Sequence, residues 1–382
     1  MFNYIIIGSG FSGCVIAERI ATVLKKQVLI IEKRNHIGGN CYDYKDENNI
    51  IIHKYGPHVF HTDYKDVFDY LSNFTDWQMY QHRVLVFIDG KNVPIPFNLN
   101  TLHEVFPQSL AEKLEKKLLS KYSYNTKVPI LDLKKEEDLD LQFLADFVYE
   151  KVFKNYTAKQ WGVKPEDIDP QVTARVPIYI SRDNRYFTDT YQAIPKEGYT
   201  KIFERMLCSP NIKIMLNTDF KEVINIDFEN KKIYFWEQEF KGKLIFTGMI
   251  DELFDFKYGY LPYRSLDLQF ESVEKDYYQE AAVINYPNDY DFTRITEFKH
   301  IHLTKTDKTT ILKEYPKLYQ PNINIPYYPV FTKENQTIYN KYQEEAKKLE
   351  NLILVGRLAE YKYYDMDDVV KRALEVFEER LK

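Results

Sequence analysis

Short apolar runs that end in glycine recur along the chain and predict the buried strands of a parallel sheet. Residues 4–7 run directly into a turn with glycine at positions 8, 10 and 13, and a second apolar run follows at residues 28–31. Residues 243–246 and 351–355 repeat this strand-then-glycine pattern, the second time before a final helix. Such runs are typical of buried strands in α/β proteins. The pattern therefore predicts one sheet assembled from distant parts of the chain.

The sequence between these runs has other periodicities. Residues 67–74 are helix-like, and from residue 102 to about residue 160 apolar residues recur at helical spacing, with an amphipathic stretch that opens at Ser109 and Leu110. Strand-like patterns, most of them alternating, occur at residues 83–88, 91–95, 176–180, 212–216, 222–226 and 232–235. We therefore expect a helical insertion and a separate region of β-sheet.

The glycine turn after the first strand has the spacing of a dinucleotide-binding motif. Gly8, Gly10 and Gly13 allow a tight turn, close approach of the backbone to a pyrophosphate, and close packing of the next helix. The second strand ends in Glu32, nineteen residues after Gly13, where a carboxylate can accept hydrogen bonds from ribose hydroxyls. The pair Gly38-Gly39 with Asn40 resembles the extended motif of flavin enzymes. The sequence therefore predicts a bound FAD rather than NAD.

We thus predict an α/β protein with a Rossmann-like FAD-binding domain, a helical insertion domain and an antiparallel β-sheet domain. The FAD-binding domain is expected to be discontinuous and to comprise residues 1–80, 200–260 and 345–382. The helical domain is expected at residues 100–170, and the β-sheet domain at residues 81–99, 171–199 and 261–344.

Composition narrows the class of protein without defining its activity. The 382 residues carry a formal net charge of −5, which gives no bulk attraction to nucleic acid or to anionic membranes. The three cysteines have no metal-ligand spacing, and no metal site is expected. No apolar run approaches the roughly 20 residues needed to span a bilayer, and no signal peptide is recognisable. We therefore expect a cytoplasmic enzyme.

Motifs across nearly the whole chain resemble those of bacterial UDP-galactopyranose mutases. They include Glu32-Lys-Arg-Asn-His-Ile-Gly-Gly-Asn40, His53-Lys-Tyr-Gly-Pro-His-Val-Phe-His61, Tyr156-Thr-Ala-Lys-Gln-Trp-Gly162, Tyr199-Thr, Thr293-Arg-Ile-Thr-Glu297, Lys313-Glu-Tyr315, Pro326-Tyr-Tyr-Pro329 and Gly356-Arg-Leu-Ala-Glu-Tyr-Lys-Tyr-Tyr-Asp-Met366. The Lys-Gln-Trp-Gly and Tyr-Lys-Tyr-Tyr-Asp-Met blocks are specific to that family and are not shared with flavoenzymes in general.

The resemblance implies a flavin-dependent isomerase that interconverts the pyranose and furanose forms of a nucleotide sugar, in the first place UDP-galactose. In that family N5 of reduced FAD attacks the anomeric carbon and expels the nucleoside diphosphate, so that one hard rearrangement is split into easier steps. The resemblance also implies a homodimer, an external reductant such as NAD(P)H, and a role in cell-surface polysaccharide biosynthesis. UDP-N-acetylgalactosamine and dTDP-fucose remain alternative substrates, and an amine-oxidase-like flavin oxidoreductase is a more remote alternative.

The resemblance also implies two arginines that hold the departing diphosphate. Arg294 matches one directly. The second family arginine falls at Tyr179, so we expect Arg182 to replace it, with a solvated loop charge as the alternative; Arg175 and Arg185 are assigned to loop packing. Other expected substrate contacts, for several of which simple packing is the alternative, are His82, Tyr156, Thr157, Trp161, Tyr186, Asn285, Tyr315 and Tyr363.

The remaining residues implied by the resemblance surround the flavin. His58 is expected beside the flavin ring, as a residue of the catalytic centre, with a structural role as the alternative. The expected cofactor-binding residues are Gly8, Gly10, Ser12, Gly13, Glu32, Lys33, Gly39, Asn40, His58, Val59, Asp219, Phe220, Arg357, Tyr364, Asp365 and Met366.

Overall fold

A five-stranded parallel sheet forms the centre of the nucleotide-binding part of the protein. The computed structural model describes residues 2–161 and 177–382 of the chain. From one edge to the other, the strands of this sheet are Ile212–Met215, Val28–Ile31, Tyr4–Ile7, Lys243–Phe246 and Leu352–Leu354. The apolar side chains of Val28–Ile31, Tyr4–Ile7 and Lys243–Phe246 are largely buried on both faces, as expected for a parallel sheet covered by other elements, whereas Ile214 of the edge strand is exposed.

Helices from both ends of the chain cover this sheet. Phe11–Arg19 continues into a π-helical turn, Ile20–Leu24, and packs against the final helix, Met366–Arg380. Lys65–Leu71 and Tyr199–Met206 belong to the same buried cluster. The first and last helices thus close one face of the sheet.

A seven-stranded sheet lies in the second part of the protein. Its strands, in spatial order, are Tyr328–Pro329, Tyr263–Val273, Thr309–Leu318, Arg294–Glu297, Val283–Asn285, Val84–Ile88 and Lys91–Ile95. All neighbours are antiparallel except Val283–Asn285 and Val84–Ile88, which run parallel. One face of this sheet shares an apolar core with the helical insertion.

The insertion is helical, as its periodicity predicts. Its elements are Leu99–Val105, Gln108–Lys121, Ile130–Leu133, Leu139–Val148, the π-helical turn Tyr149–Lys154, and Asn155–Trp161. The buried leucines Leu114, Leu118 and Leu144 face the same core as Val84 and Val86 of the seven-stranded sheet. Apolar burial therefore joins the insertion to that sheet.

Smaller elements connect these parts. In one small sheet, Tyr191–Pro195 pairs with both Phe60–Thr62 and Trp77–Met79. In another, Lys232–Phe235 pairs with both Ile224–Asp227 and Gln238–Glu239. Two strand pairs complete the small sheets of the described residues: Asp43–Lys45 with Ile51–His53, and Lys127–Pro129 with Pro177–Tyr179. The remaining helices of the described residues are Gly39–Cys41, Phe220–Val223, Ile250–Leu253, Phe298–His302 and Lys333–Lys347.

Two local expectations differ from the structure. The strand expected at residues 222–226 begins as the helical turn Phe220–Val223, because Asp219 caps that turn through the backbone N–H of Lys221. Residues 191–195, which the expected bounds assign to the β-sheet domain, form a strand that pairs with Phe60–Thr62 and Trp77–Met79 and not with the seven-stranded sheet. Within residues 2–161 and 177–382, no helix is both long and apolar enough to cross a bilayer.

Candidate active site

A cavity opens where the strands of the parallel sheet end. Its walls include Ile7, Ile31 and Phe246, which are the last residues of three neighbouring strands. Ligands of open α/β sheets bind beyond the carboxyl ends of their strands. This position is therefore the expected place for a dinucleotide, and we call it the dinucleotide cavity.

The glycine turn beside this cavity leaves no room for side chains. A Cβ on Gly13 would lie 2.1 Å from the carbonyl oxygen of Gly8, so glycine lets the first helix approach the first strand. A Cβ on Gly39 would lie 2.9 Å from Cα of Gly10, so the two glycine-containing turns also touch. No side chain caps the helix that begins at Phe11, so its first-turn N–H groups and positive dipole end can receive a pyrophosphate.

Glu32 is held in place by the turn it faces. Its Oε2 accepts hydrogen bonds from the backbone N–H of Ser9 (2.9 Å) and from Ser9 Oγ (2.7 Å), and its Oε1 accepts one from the backbone N–H of Arg34 (2.9 Å). A carboxylate oxygen accepts about two hydrogen bonds, so Oε1, which has one, can accept a further donor. The buried carboxylate is thus fixed at the cavity wall with acceptor capacity left for ribose hydroxyls.

Most of the predicted cofactor-binding residues line the dinucleotide cavity. They are Gly8, Gly10, Ser12, Glu32, Lys33, Gly39, Asn40, His58, Asp219, Phe220, Arg357 and Met366. Gly13 lies beneath the turn, and Val59 lines a neighbouring cavity. The backbone carbonyl of Tyr364 accepts a hydrogen bond from Arg357, and Asp365 caps the final helix.

The dinucleotide cavity is also lined by residues that the sequence analysis did not predict. Arg34 donates from Nη2 to Oδ1 of Asn40 (2.8 Å) and lies over the ring of Tyr55, 4.3 Å from its centroid. Thr218, Glu252 and Tyr327 line the cavity as well. Arg34 had a signal in the sequence, because it follows Glu32 by two residues, whereas Tyr327 reaches the cavity only through tertiary folding. The donors, the glycine turns and the helix terminus together fit FAD.

His58 presents a defined, uncharged ring to the dinucleotide cavity. Its Nδ1 lies 2.8 Å from the carbonyl oxygen of Gly56, which only accepts, so Nδ1 carries the proton. Burial, together with the charges of Arg357 and Arg294, lowers the pKa of His58 to about 4, although the Gly56 contact opposes this. His58 is therefore neutral near pH 7, and its Nε2 is an acceptor.

A second, smaller cavity adjoins the turn that carries His58. Pro57 and Val59 line it, so the turn separates the two cavities. Its other walls are His82, Val84, Tyr156, Tyr186, Phe187, Val283, Asn285 and Arg294, and its volume is about 110 Å³. Oδ1 of Asn285 is buried without a hydrogen-bond partner. We call this space the substrate cavity, since five predicted substrate residues meet there.

Arg294 is the cation of the substrate cavity. Its Nε donates to Oε1 of Glu314 at 2.6 Å, and Glu314 is the residue directly opposite it on the neighbouring strand. Burial opposes the charge, but Glu314 and Tyr156 raise the pKa of Arg294 above its ordinary value. In the described part of the chain only its Nε is hydrogen-bonded to protein, which leaves both Nη groups for an anion.

His82, which lines the substrate cavity together with Arg294, is uncharged. Burial, followed by the charge of Arg294, lowers the pKa of His82 to about 3. Its Nδ1 lies 3.2 Å from the hydroxyl of Tyr80. The substrate cavity thus combines one positive group with neutral polar and apolar walls.

Other predicted substrate residues lie outside the walls of this cavity. Thr157 is buried on the same helix as Tyr156. The Tyr315 ring lies 6.0 Å from Phe292, and the Tyr363 ring stacks on Tyr328 at 5.7 Å. Trp161 ends its helix, and its side chain lies outside the described part of the structure.

The structure does not bring Arg182 to Arg294. The guanidinium of Arg182 forms a salt bridge with Glu115, 2.6 Å from Oε1, and its side chain is 48% exposed. Tyr179 is buried in a strand that pairs with Lys127–Pro129, and Arg185 pairs with Asp183. Arg175 lies outside the described residues. The second diphosphate-binding arginine therefore stays a prediction.

Comparison with known proteins places this arrangement in a family. A family model described as UDP-galactopyranose mutase matches residues 151–363, more than half of the chain. The chain belongs to the UDP-galactopyranose mutase family. A model of an NAD(P)-binding Rossmann-like domain matches residues 6–74.

Individual relatives extend this family match over nearly the whole length. The dTDP-fucopyranose mutase of Escherichia coli is 36% identical over 378 residues, which cover 98% of this chain and 97% of that protein. A UDP-galactopyranose mutase of Mycoplasma genitalium is 35% identical over 377 residues, which cover 97% of this chain and 92% of that protein. A crystal structure of reduced UDP-galactopyranose mutase shares the fold, with a TM-score of 0.72 at 18% identity, and 99% and 93% of the two chains are covered. The predicted α/β class with a Rossmann-like domain is confirmed.

Proposed function

We propose that this protein is a flavin-dependent isomerase that interconverts UDP-galactopyranose and UDP-galactofuranose. Membership of the mutase family supports this activity. The observation that carries it is the junction of the two cavities: the Pro57–His58–Val59 turn lies between a dinucleotide cavity and a cavity whose only charged wall residue, in the described structure, is Arg294. A redox cofactor and a nucleotide diphosphate sugar would meet at this turn.

The predicted cofactor is FAD, held by the glycine turns, by Glu32 and by the residues around Arg357. When bound in its reduced form, FAD supplies a nucleophilic nitrogen for the anomeric carbon of the sugar. The protein's own task is then to bind and orient the sugar nucleotide and to exclude water.

Arg294 would hold the diphosphate before and after its bond to the sugar breaks. A guanidinium suits this role because its planar N–H groups match phosphate oxygens. Glu314 fixes the guanidinium through Nε and balances its partly buried charge when no diphosphate is present. Neutral His58 and Asn285 would offer acceptor atoms to sugar hydroxyls or to flavin N–H groups, while Tyr156 and Tyr186 would contact the diphosphate or the sugar.

A second candidate substrate is dTDP-fucopyranose. The E. coli dTDP-fucopyranose mutase is as similar to this chain as the UDP-galactopyranose mutases are. Half of the substrate-cavity wall is apolar, from Pro57, Val59, Val84, Phe187 and Val283. Such a wall is compatible with the methyl group of a 6-deoxy sugar, and a pocket discriminates strongly against a missing hydroxyl only where it pairs with that hydroxyl.

The activity is tested by incubating the FAD-loaded, dithionite-reduced protein with each nucleotide sugar and separating the products by chromatography. We expect a furanose product from UDP-galactose that requires reduction, with reductant not consumed in proportion to turnover. Faster conversion of dTDP-fucopyranose would select the second candidate. Stoichiometric oxidation of NADPH during sugar conversion would instead indicate an oxidoreductase and contradict the proposal.

We further propose that the enzyme acts as a homodimer in the cytoplasm, receives electrons from an external reductant such as NAD(P)H, and serves cell-surface polysaccharide biosynthesis. These statements rest on the resemblance to the family. Sedimentation of the purified protein and fractionation of cells would test the first two.

A further inference from the structure

One wall of the substrate cavity is held by a residue outside the cavity. The ring of Phe187 lines the cavity, and the ring of His61 stacks on it with centroids 3.6 Å apart and planes inclined by 17°. On the cavity side, Phe187 lies 5.9 Å from the ring of His82. A movement of the His61 ring would therefore be transmitted through Phe187 to the cavity.

His61 also contacts the loop on which Phe187 lies. Its Nδ1 is 3.2 Å from Oδ1 of Asp189, two residues after Phe187. Both side chains are mostly buried, with 15% of His61 and 25% of Asp189 exposed. His61 itself belongs to strand Phe60–Thr62, which is paired with Tyr191–Pro195. The contact thus joins strand Phe60–Thr62 to the end of the loop that carries Phe187.

A second anchor holds the same loop without a titratable base. Oδ1 of Asp63 accepts hydrogen bonds from the backbone N–H and from Oγ1 of Thr190, both at 2.8 Å. Asp63 does not stack on Phe187. Both anchors attach the loop, but of the two only His61 also stacks on the ring of Phe187, which Tyr186 and His82 contact as well.

We propose that His61, through its ion pair with Asp189, positions Phe187 as a wall of the substrate cavity and so sets how tightly the sugar is held. This inference rests on the proposed function, because it assigns the cavity to the sugar nucleotide. His61 is a positioning residue: it lies outside the walls of both cavities and acts through Phe187.

The charge of His61 makes this support dependent on pH. Burial lowers the pKa of His61, but the hydrogen bond and charge of Asp189, with Asp365 and Asp367 at the start of the final helix, raise it above its ordinary value. His82, on the cavity side, and Lys127, whose charge acts on Asp189, are further titratable neighbours of the pair. The ion pair is complete below the raised pKa and is lost as pH rises through it, so the wall loosens toward alkaline pH.

The test is the pH dependence of KM for UDP-galactose, measured with reduced, FAD-loaded protein. For the unmodified protein we expect KM to rise as pH increases through the pKa of His61. His61→Phe keeps a stacking ring and removes the ion pair, so KM should be about fivefold higher at neutral pH, as expected for one mostly buried pair, and independent of pH. Asp189→Asn removes the same ion pair, so its KM should also be raised at neutral pH and should lose the inflection. In both variants kcat and FAD content should stay close to normal.

Asp63→Ala is the matched control. It loosens the same loop, so it should raise KM, yet it leaves the inflection in the pH profile because His61 and Asp189 are intact. A His61→Phe variant with the normal KM and the normal profile would overturn the inference, as would an effect on kcat alone.

Equilibrium binding separates this inference from the proposed function. Dissociation constants for UDP-galactose, from quenching of protein fluorescence, should follow the same order as KM. A protein that binds UDP-galactose without converting it would contradict the function, and the dissociation constants of the variants would then decide the inference. A protein that binds dTDP-fucopyranose instead would select the second candidate, with the variants then compared on that ligand, and a protein that binds neither would contradict both.

Discussion

Arg294 is the residue on which the proposed chemistry depends most. A partly buried cation loses some of its hydration, and here Glu314 supplies one charge-assisted hydrogen bond while leaving the Nη groups available. The arrangement holds the guanidinium in position before a diphosphate arrives. It is an example of preorganisation, in which the protein and not the ligand orders the binding group.

We expect Arg294→Ala to lower turnover by about thirtyfold or more, equivalent to roughly 2 kcal/mol of transition-state stabilisation from one charge-assisted contact. FAD content should be unchanged, because Arg294 lines only the substrate cavity. Steady-state kinetics and flavin absorbance measure both effects. Arg185→Ala, which removes a cation paired with Asp183, is the control and should be nearly normal. Equal losses in the two variants would contradict the assignment.

Arg182 can act as the second cation only if its pair with Glu115 opens. Such an exposed pair contributes about 1 kcal/mol or less, so attraction of the guanidinium to a diphosphate is sufficient to break the Arg182–Glu115 pair. We therefore expect Arg182→Ala to lower turnover, and Glu115→Gln, which frees the guanidinium, to preserve it. Normal turnover in Arg182→Ala together with an inactive Arg175→Ala would assign the role to Arg175.

At the scale of elements, local sequence patterns predicted that a strand, helix or turn is present better than they predicted the residues at which it begins and ends. The glycine turns were predictable because their constraint is local: Gly13 must be small to pass Gly8. The strand expected at residues 222–226 begins two residues late, because the Asp219 cap forms a helical turn first. The contact between Arg294 and Glu314 was not predictable, because strand register and not sequence distance brings these residues together.

The packing of the first helix on the first strand gives a prediction at this scale. Gly13→Leu should abolish the yellow colour of the purified protein, because even a Cβ would meet the Gly8 carbonyl at 2.1 Å and displace the helix terminus from the pyrophosphate. Absorbance near the flavin band measures bound FAD. Gly90→Asn is the control: Gly90 has φ of +84° at a hairpin turn with open space around it, which asparagine tolerates. Stoichiometric FAD in Gly13→Leu would contradict the placement of the dinucleotide site.

At the scale of the whole molecule, function arises where separated segments meet. The parallel sheet takes strands from residues 4 to 354, and the substrate cavity combines the helical insertion, the loop of Phe187 and the seven-stranded sheet. The sequence allowed the cofactor motif and many wall residues to be named, since motif chemistry is local. The sequence could not show which of these residues meet in one cavity. Arg182, Tyr315 and Tyr363 each carry a group that could bind a diphosphate or a sugar, yet tertiary packing places them outside the walls of the substrate cavity.

Burial of neutral histidines gives a prediction for the stability of the whole molecule. Burial lowers the pKa of His58 to about 4, of His82 to about 3 and of His302 to about 4, whereas an unfolded histidine titrates near 6.5. Between these values the unfolded chain binds more protons than the folded one, so stability falls as pH decreases from about 6.5 toward 4. Each histidine contributes up to about 1.4 kcal/mol per pH unit.

Thermal unfolding of the FAD-loaded protein, followed by circular dichroism across this range, measures the effect. His302 tests it most cleanly, because it lines neither cavity and its Nε2 lies 2.9 Å from Nε2 of His53. His302→Gln removes one titrating group, so we expect a lower stability at neutral pH but a shallower decline on acidification. A decline as steep as that of the unmodified protein would show that His302 is not buried as a neutral base.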